Sequence, residues 1–193
     1  DEIDEDLKRD QVQMLWARYG KIVMAVVAAI VLLVALRQGY AAWQNNQSEA
    51  SASAFQQALK SDDVTTALEA QRGQLTNGYA MLAQFQLAAE QAAGEDFTAA
   101  EASYLALASD SSLDPLYQHA ATLLSVMVAP QDADLASLAA RLSDLETAAG
   151  PLQAIALETG AGLALRAGNP NAAVAKYKIL MGMADVPAGM RQR

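Results

Sequence analysis

The stretch WARYGKIVMAVVAAIVLLVALRQGYAAW, residues 16–43, holds an uninterrupted apolar run from Ile22 to Leu36. Three structures accept such a run: a buried core helix, a cleaved export signal, or a membrane anchor. A core helix would carry a polar residue every third or fourth position, and this run carries none. A cleaved signal would need everything up to Lys21 as its leading region, and Arg37 interrupts the approach to the small-x-small sequence Gly39-Tyr40-Ala41. A retained anchor fits better. At ~1.5 Å per residue the run covers roughly 22 Å of a ~30 Å hydrocarbon layer, and its flanks supply the remainder. Tyr19 and Tyr40 lie ~32 Å apart along a helix, with Trp16 and Trp43 one turn further out, the spacing of two interfacial aromatic belts. Lys21 and Arg37 close the segment and can extend towards the headgroups.

Cations set the direction of such a span. Lys8, Arg9, Arg18 and Lys21 precede it, whereas Arg37 is the only cation after it until Lys60. The bias places the N-terminus in the cytoplasm, and everything after Trp43 across a bacterial inner membrane in the periplasm. Four segments follow: an acidic cytoplasmic tail over 1–15, the transmembrane helix with its aromatic flanks over 16–43, a helical stalk over 44–61, and a periplasmic domain over 62–193. The tract DEIDED at Asp1 to Asp6 reads as disordered. From Gln44 onward there are 8 Lys and Arg against 16 Asp and Glu, so the exported part is acidic.

Of the 193 residues, those beyond the anchor suffice for one domain. Hydrophobic residues make up 53% but aromatics only 6%, and Ala and Leu dominate, which favours closely packed helices over sheet. The expected fold class is all-α. The absence of cysteine excludes disulfides, thiolate metal sites and cysteine nucleophiles. A net charge of −9 and a pI near 4.5 argue against a phosphate-binding surface, so no nucleic acid is expected as a partner.

Capping residues divide the exported part into short helices. Asp62 or Asp63 can start one that ends near Arg72-Gly73, and Asn77-Gly78 marks a turn before YAMLAQFQLAAEQAA. Asp114-Pro115, Gly150-Pro151 and Asn169-Pro170 each place a capping or small residue before a proline at the first helical position. Asp132 or Asp134 can cap DLASLAARLSDLETAA. Helices of this length joined by short turns predict antiparallel hairpins. The hairpins repeat: Gly94 to Leu107 and Gly168 to Leu180 share a Gly, then Ala100, Tyr104 and Leu107 in one and Ala173, Tyr177 and Leu180 in the other. This spacing resembles the second helix of a tetratricopeptide repeat, in which small residues let helices approach and the aromatic fills the gap between hairpins. Ala88 and Ala161-Gly162 can serve as small contacts in the first helices. The two units lie ~73 residues apart, about two repeat lengths, and the material between them matches the consensus poorly.

Catalytic chemistry has no support in the sequence. His119, the single histidine, lies in a helical pattern with no Ser, Asp or second His arranged around it. Asp132 and Asp134 lack the glycine and later glutamate of a calcium loop, and there is no phosphate-cradling loop or hydrolase elbow. No cofactor and no metal are expected. Met181, Met183 and Met190 suit the core of the final repeat, or an adaptable contact surface. The expected role is binding by shape, with the acidic balance favouring basic or unfolded cationic clients.

DLKRDQVQMLWARYGK, a single span, and then YAAWQNNQSEASASAFQQAL together resemble the YfgM-like ancillary subunits of the SecYEG translocon. These are bitopic inner-membrane proteins with a tetratricopeptide-like periplasmic domain. Trp16, Gly20-Lys21, Trp43 and the segment Ser48 to Leu59 carry the likeness, which covers the N-terminal third. The resemblance implies a membrane-anchored adaptor beside the translocon that assists hand-off of exported chains to periplasmic chaperones. The chain departs from that pattern between Asp114 and Gly150, where no partner can be assigned. An alternative of another class is a structural accessory subunit of a respiratory or photosynthetic complex. The stripe Ala25, Ala28, Ala29 would allow close helix packing in either role.

Overall fold

In the computed structural model, residues 2–184 and 186–192 are described, with the side chains of 2–23, 25, 27, 28 and 77 outside that description. The described residues form helices and turns with no strand. The chain divides into two compact units, Asp1–Ala50 and Ser51–Arg193.

The first unit lies within helix α1, Glu2–Leu59. The acidic tract expected to be disordered is helical from Glu2, since acidic residues at a helix start complement the positive end of its dipole. Asn45 to Ser53 also remains helical despite its weak formers. Along α1, Met24, Val26, Ile30, Val31, Leu32, Leu33, Val34 and Leu36 are 49–70% exposed. Among the described residues, no helix is long and apolar enough to cross a membrane. The side chains of Ile22, Val23, Ala25, Val27 and Ala28 lie outside the described residues.

The second unit begins inside the expected stalk. Ser51 is buried, and its hydroxyl accepts a hydrogen bond from Thr76 N at 3.0 Å. Ala58 and the half-buried Phe55 pack with Leu68, Ala83 and Leu87. The last turns of α1 are therefore the first wall of the domain core. Helices α2 (Val64–Gln71), α3 (Asn77–Ala93), α4 (Phe97–Ala108), α5 (Pro115–Met127), α6 (Leu135–Thr147), α7 (Gln153–Arg166), α8 (Pro170–Gly182) and α9 (Ala188–Gln192) follow.

Side-chain caps start most of these helices. Asp63 accepts from Thr66 N, Asp96 from Ala99 N, Asp114 from Leu116 N, Asp134 from Ala136 N and Ser137 N, and Asn169 from Ala172 N. Each such cap is worth about 1 kcal/mol. Two expected starts shift. Asn77 and Gly78 are the first turn of α3 rather than a turn before it. Gly150-Pro151 does not open α7, which begins at Gln153. Glycine offers no side-chain oxygen to cap a helix, and the loop is held instead by Gln153 Nε2 donating to Glu146 O at 3.0 Å.

Helices adjacent in sequence pack on one another from α2 to α8, with α5 and α6 meeting most lightly. Four clusters share the core in succession. The first joins the end of α1 to α2 and α3. The next holds Ala88, Tyr104, Leu107 and Ala121 between α3, α4 and α5. A third gathers Leu123, Leu138, Leu142 and Leu163 from α5, α6 and α7. The last joins α7, α8 and α9 through Leu157, Leu180 and Met190. Helices α3, α5 and α7 each serve two clusters, so the core passes along the chain as in a stack of hairpins.

Candidate interaction surfaces

Helices α3, α5 and α7 begin at residues 77, 115 and 153, a constant step of 38. Three hairpins result: α3 with α4, α5 with α6, and α7 with α8. The first and third turn identically. Asp96 N donates to Gln91 O and Glu95 N to Ala92 O; Asn169 N donates to Ala164 O and Gly168 N to Leu165 O. This is the double hydrogen bond that closes a helix through one left-handed residue. Its partner in register with Gly168 is Glu95 and not Gly94, one residue on from the sequence alignment.

The register places every repeat-packing residue. Ala100, Tyr104 and Leu107 are buried in α4, and Ala173 and Leu180 are buried in α8. Ala88 and Ala161 are fully buried. Tyr104 lies 6.1 Å from the ring of Phe85 and shares its cluster with Ala121 of α5. Burial pushes its phenol above the ordinary tyrosine range. Tyr177 occupies the same register position but is 37% exposed. On α8 the short helix α9 packs through Met190, with Val186 beside it, against Leu180.

Two ion pairs tie alternate helices. Arg141 of α6 bonds Glu101 of α4 at 2.5 Å, and Lys176 of α8 pairs with Glu146 of α6. The second crosses α7 at Gly160, where an added Cβ would collide with Glu146 Oε1. Arg166 Nη2 also fastens the α5–α6 loop by donating to Gln131 O at 3.2 Å.

Between α3 and α5 lies a groove of about 510 Å³ with Met81, Leu113 and Tyr117 on its walls and Asp110 and Asp114 at its rim. Tyr117 and Leu116 are 44% and 47% exposed. Both stand in the first turn of α5, directly after the Asp114-Pro115 cap. Asp110 is held below the ordinary carboxylate range by the Ser112 hydroxyl and then its backbone N–H, and Arg72, which donates to Gln84 Oε1 at 3.1 Å, lines the same groove.

A second surface lies on α8. Val174, Tyr177 and Met181 are exposed at one helical spacing, 50%, 37% and 84% respectively, beside the buried stripe of Ala173 and Leu180. A cavity of about 350 Å³ adjoins it, walled by Tyr177, Met181, Val186 and Met190. Met190 is buried and Met183 packs at the core edge, so only Met181 of the three methionines faces outward.

His119 is exposed on α5, and Asp132 and Asp134 lie in the α5–α6 loop, where Asp134 caps α6. No group of three or more His, Cys, Asp or Glu among the described residues could hold a metal ion. Of the expected membrane-interface residues, Arg37, Tyr40 and Trp43 are exposed on α1, with Tyr40 and Trp43 rings 6.0 Å apart. The side chains of Trp16, Tyr19 and Lys21 lie outside the described residues, as do those of Ala25 and Ala28.

A family profile described as a tetratricopeptide repeat-like domain matches residues 13–178, a span that takes in the apolar run of α1 and reaches into α8. No curated protein and no solved structure matches the chain.

Proposed function

Because the chain belongs to the tetratricopeptide repeat-like domain family, we propose that it is a protein–protein interaction module held at a bacterial inner membrane by α1. Repeats of this kind are as a rule non-catalytic and bind protein partners through stacked hairpins. In this reading α1 crosses the bilayer with its N-terminus in the cytoplasm and the hairpins stand in the periplasm. The partner is an integral membrane complex, the export translocon first among candidates, and the clients are emerging chains or the chaperones that receive them.

The observation that carries the anchor is the exposure of apolar side chains on every side of α1 from Ile30 to Leu36. A helix apolar all round belongs in a core or a membrane, and among the described residues of its own unit nothing encloses it. The observation that carries client binding is the α3–α5 groove, where Met81 and Tyr117 offer apolar walls and Asp110, Asp114 and Arg72 offer charges of both signs, which suits a segment with apolar and charged residues.

Affinity purification of the full chain from native membranes in nanodiscs, with integral partners identified and counted, tests the reading. Stoichiometric translocon subunits with periplasmic chaperones are expected. Stoichiometric recovery of a respiratory or photosynthetic complex instead would make the chain an accessory subunit of that complex. Full protection of the C-terminal domain from protease outside spheroplasts would overturn the orientation.

A further inference from the structure

The two walls of the α3–α5 groove are fixed by different means. On the α5 side the chain holds itself: Asp114 caps the helix through Leu116 N and Pro115 occupies its first turn, so Tyr117 starts from a locally set frame. The α3 side has no such device. Its N-cap, Thr76, makes no side-chain cap hydrogen bond, and Gly78 stands second in the helix. An uncapped start that carries glycine holds its first turn weakly when left to itself. That same turn brings Gly78 and Ala80 into the groove, with Met81 and Gln84 following.

What holds the turn comes from α1. Ser51 is 2% exposed, and its hydroxyl accepts from Thr76 N at 3.0 Å, a bond between residues 25 apart in the chain. Thr76 is the residue whose carbonyl opens the α3 ladder, by accepting from Ala80 N at 2.8 Å. One turn further along α1, the Phe55 ring lies 6.1 Å from the ring of Tyr79, between Gly78 and Ala80 in the sequence. Ser125, buried on α5, offers a contrast, because its hydroxyl donates to Thr122 O within its own helix. The Ser51 hydroxyl instead joins two elements. A ring contact tolerates sliding and rotation, whereas a hydrogen bond fixes both distance and direction.

We propose that Ser51 is a positioning residue for the groove: by holding Thr76 it sets the first turn of α3, and so the separation of Gly78, Ala80 and Met81 from the Tyr117 wall. This role rests on reading the groove as the client site. It makes the end of α1 part of the binding apparatus rather than a stalk.

Methionine-methyl NMR of the full chain in nanodiscs reads the wall directly, because Met81 lines the groove, whereas Met190 belongs to a cluster formed without α1. S51A removes the hydroxyl, while S51T and S51V are alike in shape and differ in the hydroxyl alone. The Met81 signal is expected to shift in S51A and S51V and to keep its parent position in S51T, with Met190 unmoved in all three. Affinity is read by anisotropy with a fluorescent, unstructured peptide of Leu, Lys, Glu and Gly, and empty nanodiscs subtract partition into lipid. It should fall about 5-fold in S51A and S51V, the scale of one net hydrogen bond, and stay within about 2-fold of the parent in S51T.

A Met81 signal unmoved in S51A and S51V, or moved as far in S51T as in S51V, would overturn the proposal. So would a Met190 shift of equal size, which would mean general loosening. Lower urea stability of S51A with the Met81 signal and the affinity unchanged would reduce Ser51 to a structural hydrogen bond and overturn it as well. Should the parent itself fail to bind the peptide while Met81 responds as expected, the reading of the groove as the client site falls and the positioning of its wall stands.

Discussion

Glu95 and Gly168 hold the same left-handed position in two equivalent turns, at φ 64° and 71°. Glycine adopts this conformation freely, whereas a side chain sets its Cβ against the neighbouring carbonyl. The hydrogen bonds around both residues are the same, so the strain at Glu95 is carried for the turn. Glu95→Gly is expected to stabilise the domain by about 0.5–1 kcal/mol, and Gly168→Ala to destabilise it by about 1 kcal/mol. No atom lies within 4 Å of a Cβ built at Gly168, so backbone conformation alone sets that cost. Urea unfolding of the full chain followed by circular dichroism reads both, and a loss of stability in Glu95→Gly would contradict the account.

Tyr104 and Tyr177 share a register but not an environment. Tyr104 is 4% exposed against Phe85 and Ala121, and its removal leaves a cavity between three helices. Tyr104→Ala should cost about 3–4 kcal/mol. Tyr177→Ala, at a site already 37% exposed, should cost below about 1 kcal/mol in the absence of a partner. Equal losses would mean that the two hairpins do not differ in the way their burial indicates.

That contrast also marks how far the sequence reaches. The helical class and the helix starts at Asp114 and Asn169 could be read directly, because a capping oxygen acts on N–H groups two or three residues away, whereas the choices between Asp62 and Asp63 and between Asp132 and Asp134 were settled only in the structure. The start after Gly150 could not, because the loop is fixed by Gln153 reaching Glu146 O, a contact of tertiary origin. Gly94, matched with Gly168 in the sequence, lies one residue before the equivalent position, which Glu95 holds. Ala100, Tyr104, Leu107, Ala173 and Leu180 stand at the shared spacing and are buried. The outward turn of Tyr177 could not be read from that spacing, since exposure depends on what packs next. Val174 was hidden among the general apolarity of α8, and Leu116 with Tyr117 behind the stronger signal of the Asp114-Pro115 cap; Met181 reads with Met183 and Met190 as core or as contact surface, and it alone of the three faces outward.

Acid should loosen α2 at its start. Asp63 is held below the ordinary carboxylate range by the Thr66 N–H first and the Thr66 hydroxyl second. A carboxyl with a depressed folded value contributes stability that is present above its unfolded value of about 4 and is lost as pH falls through the lower folded value. In Asp63→Asn the side-chain amide oxygen would still accept from Thr66 N, but the group would not titrate. The full chain and Asp63→Asn should therefore show a constant stability difference from pH 7 to about pH 5, with the parent losing its advantage below about pH 4. Parallel denaturation curves across that window check it, and a difference that stays constant down to about pH 2 would remove Asp63 as the titrating cap.

Gly160 has a role that becomes visible only in a pair of substitutions. In a helix interior Gly→Ala normally gains up to about 1 kcal/mol from backbone entropy. Here the new Cβ would meet the carboxylate of Glu146, which would have to swing away from Lys176. Glu146 and Lys176 side chains are 12% and 25% exposed, so separating them leaves two partly desolvated charges, at a cost of about 1–2 kcal/mol. The loss should match or exceed the gain, making Gly160→Ala neutral to destabilising by about 1 kcal/mol. With Glu146→Ala already in place the obstacle is absent, and the same Gly160→Ala change should stabilise by up to about 1 kcal/mol. A double-mutant cycle on the full chain should thus give a coupling of about 1–2 kcal/mol between residues 146 and 160. Additive effects would show that the carboxylate finds an equally good position elsewhere, and that Gly160 serves the packing of α7 without regard to the ion pair.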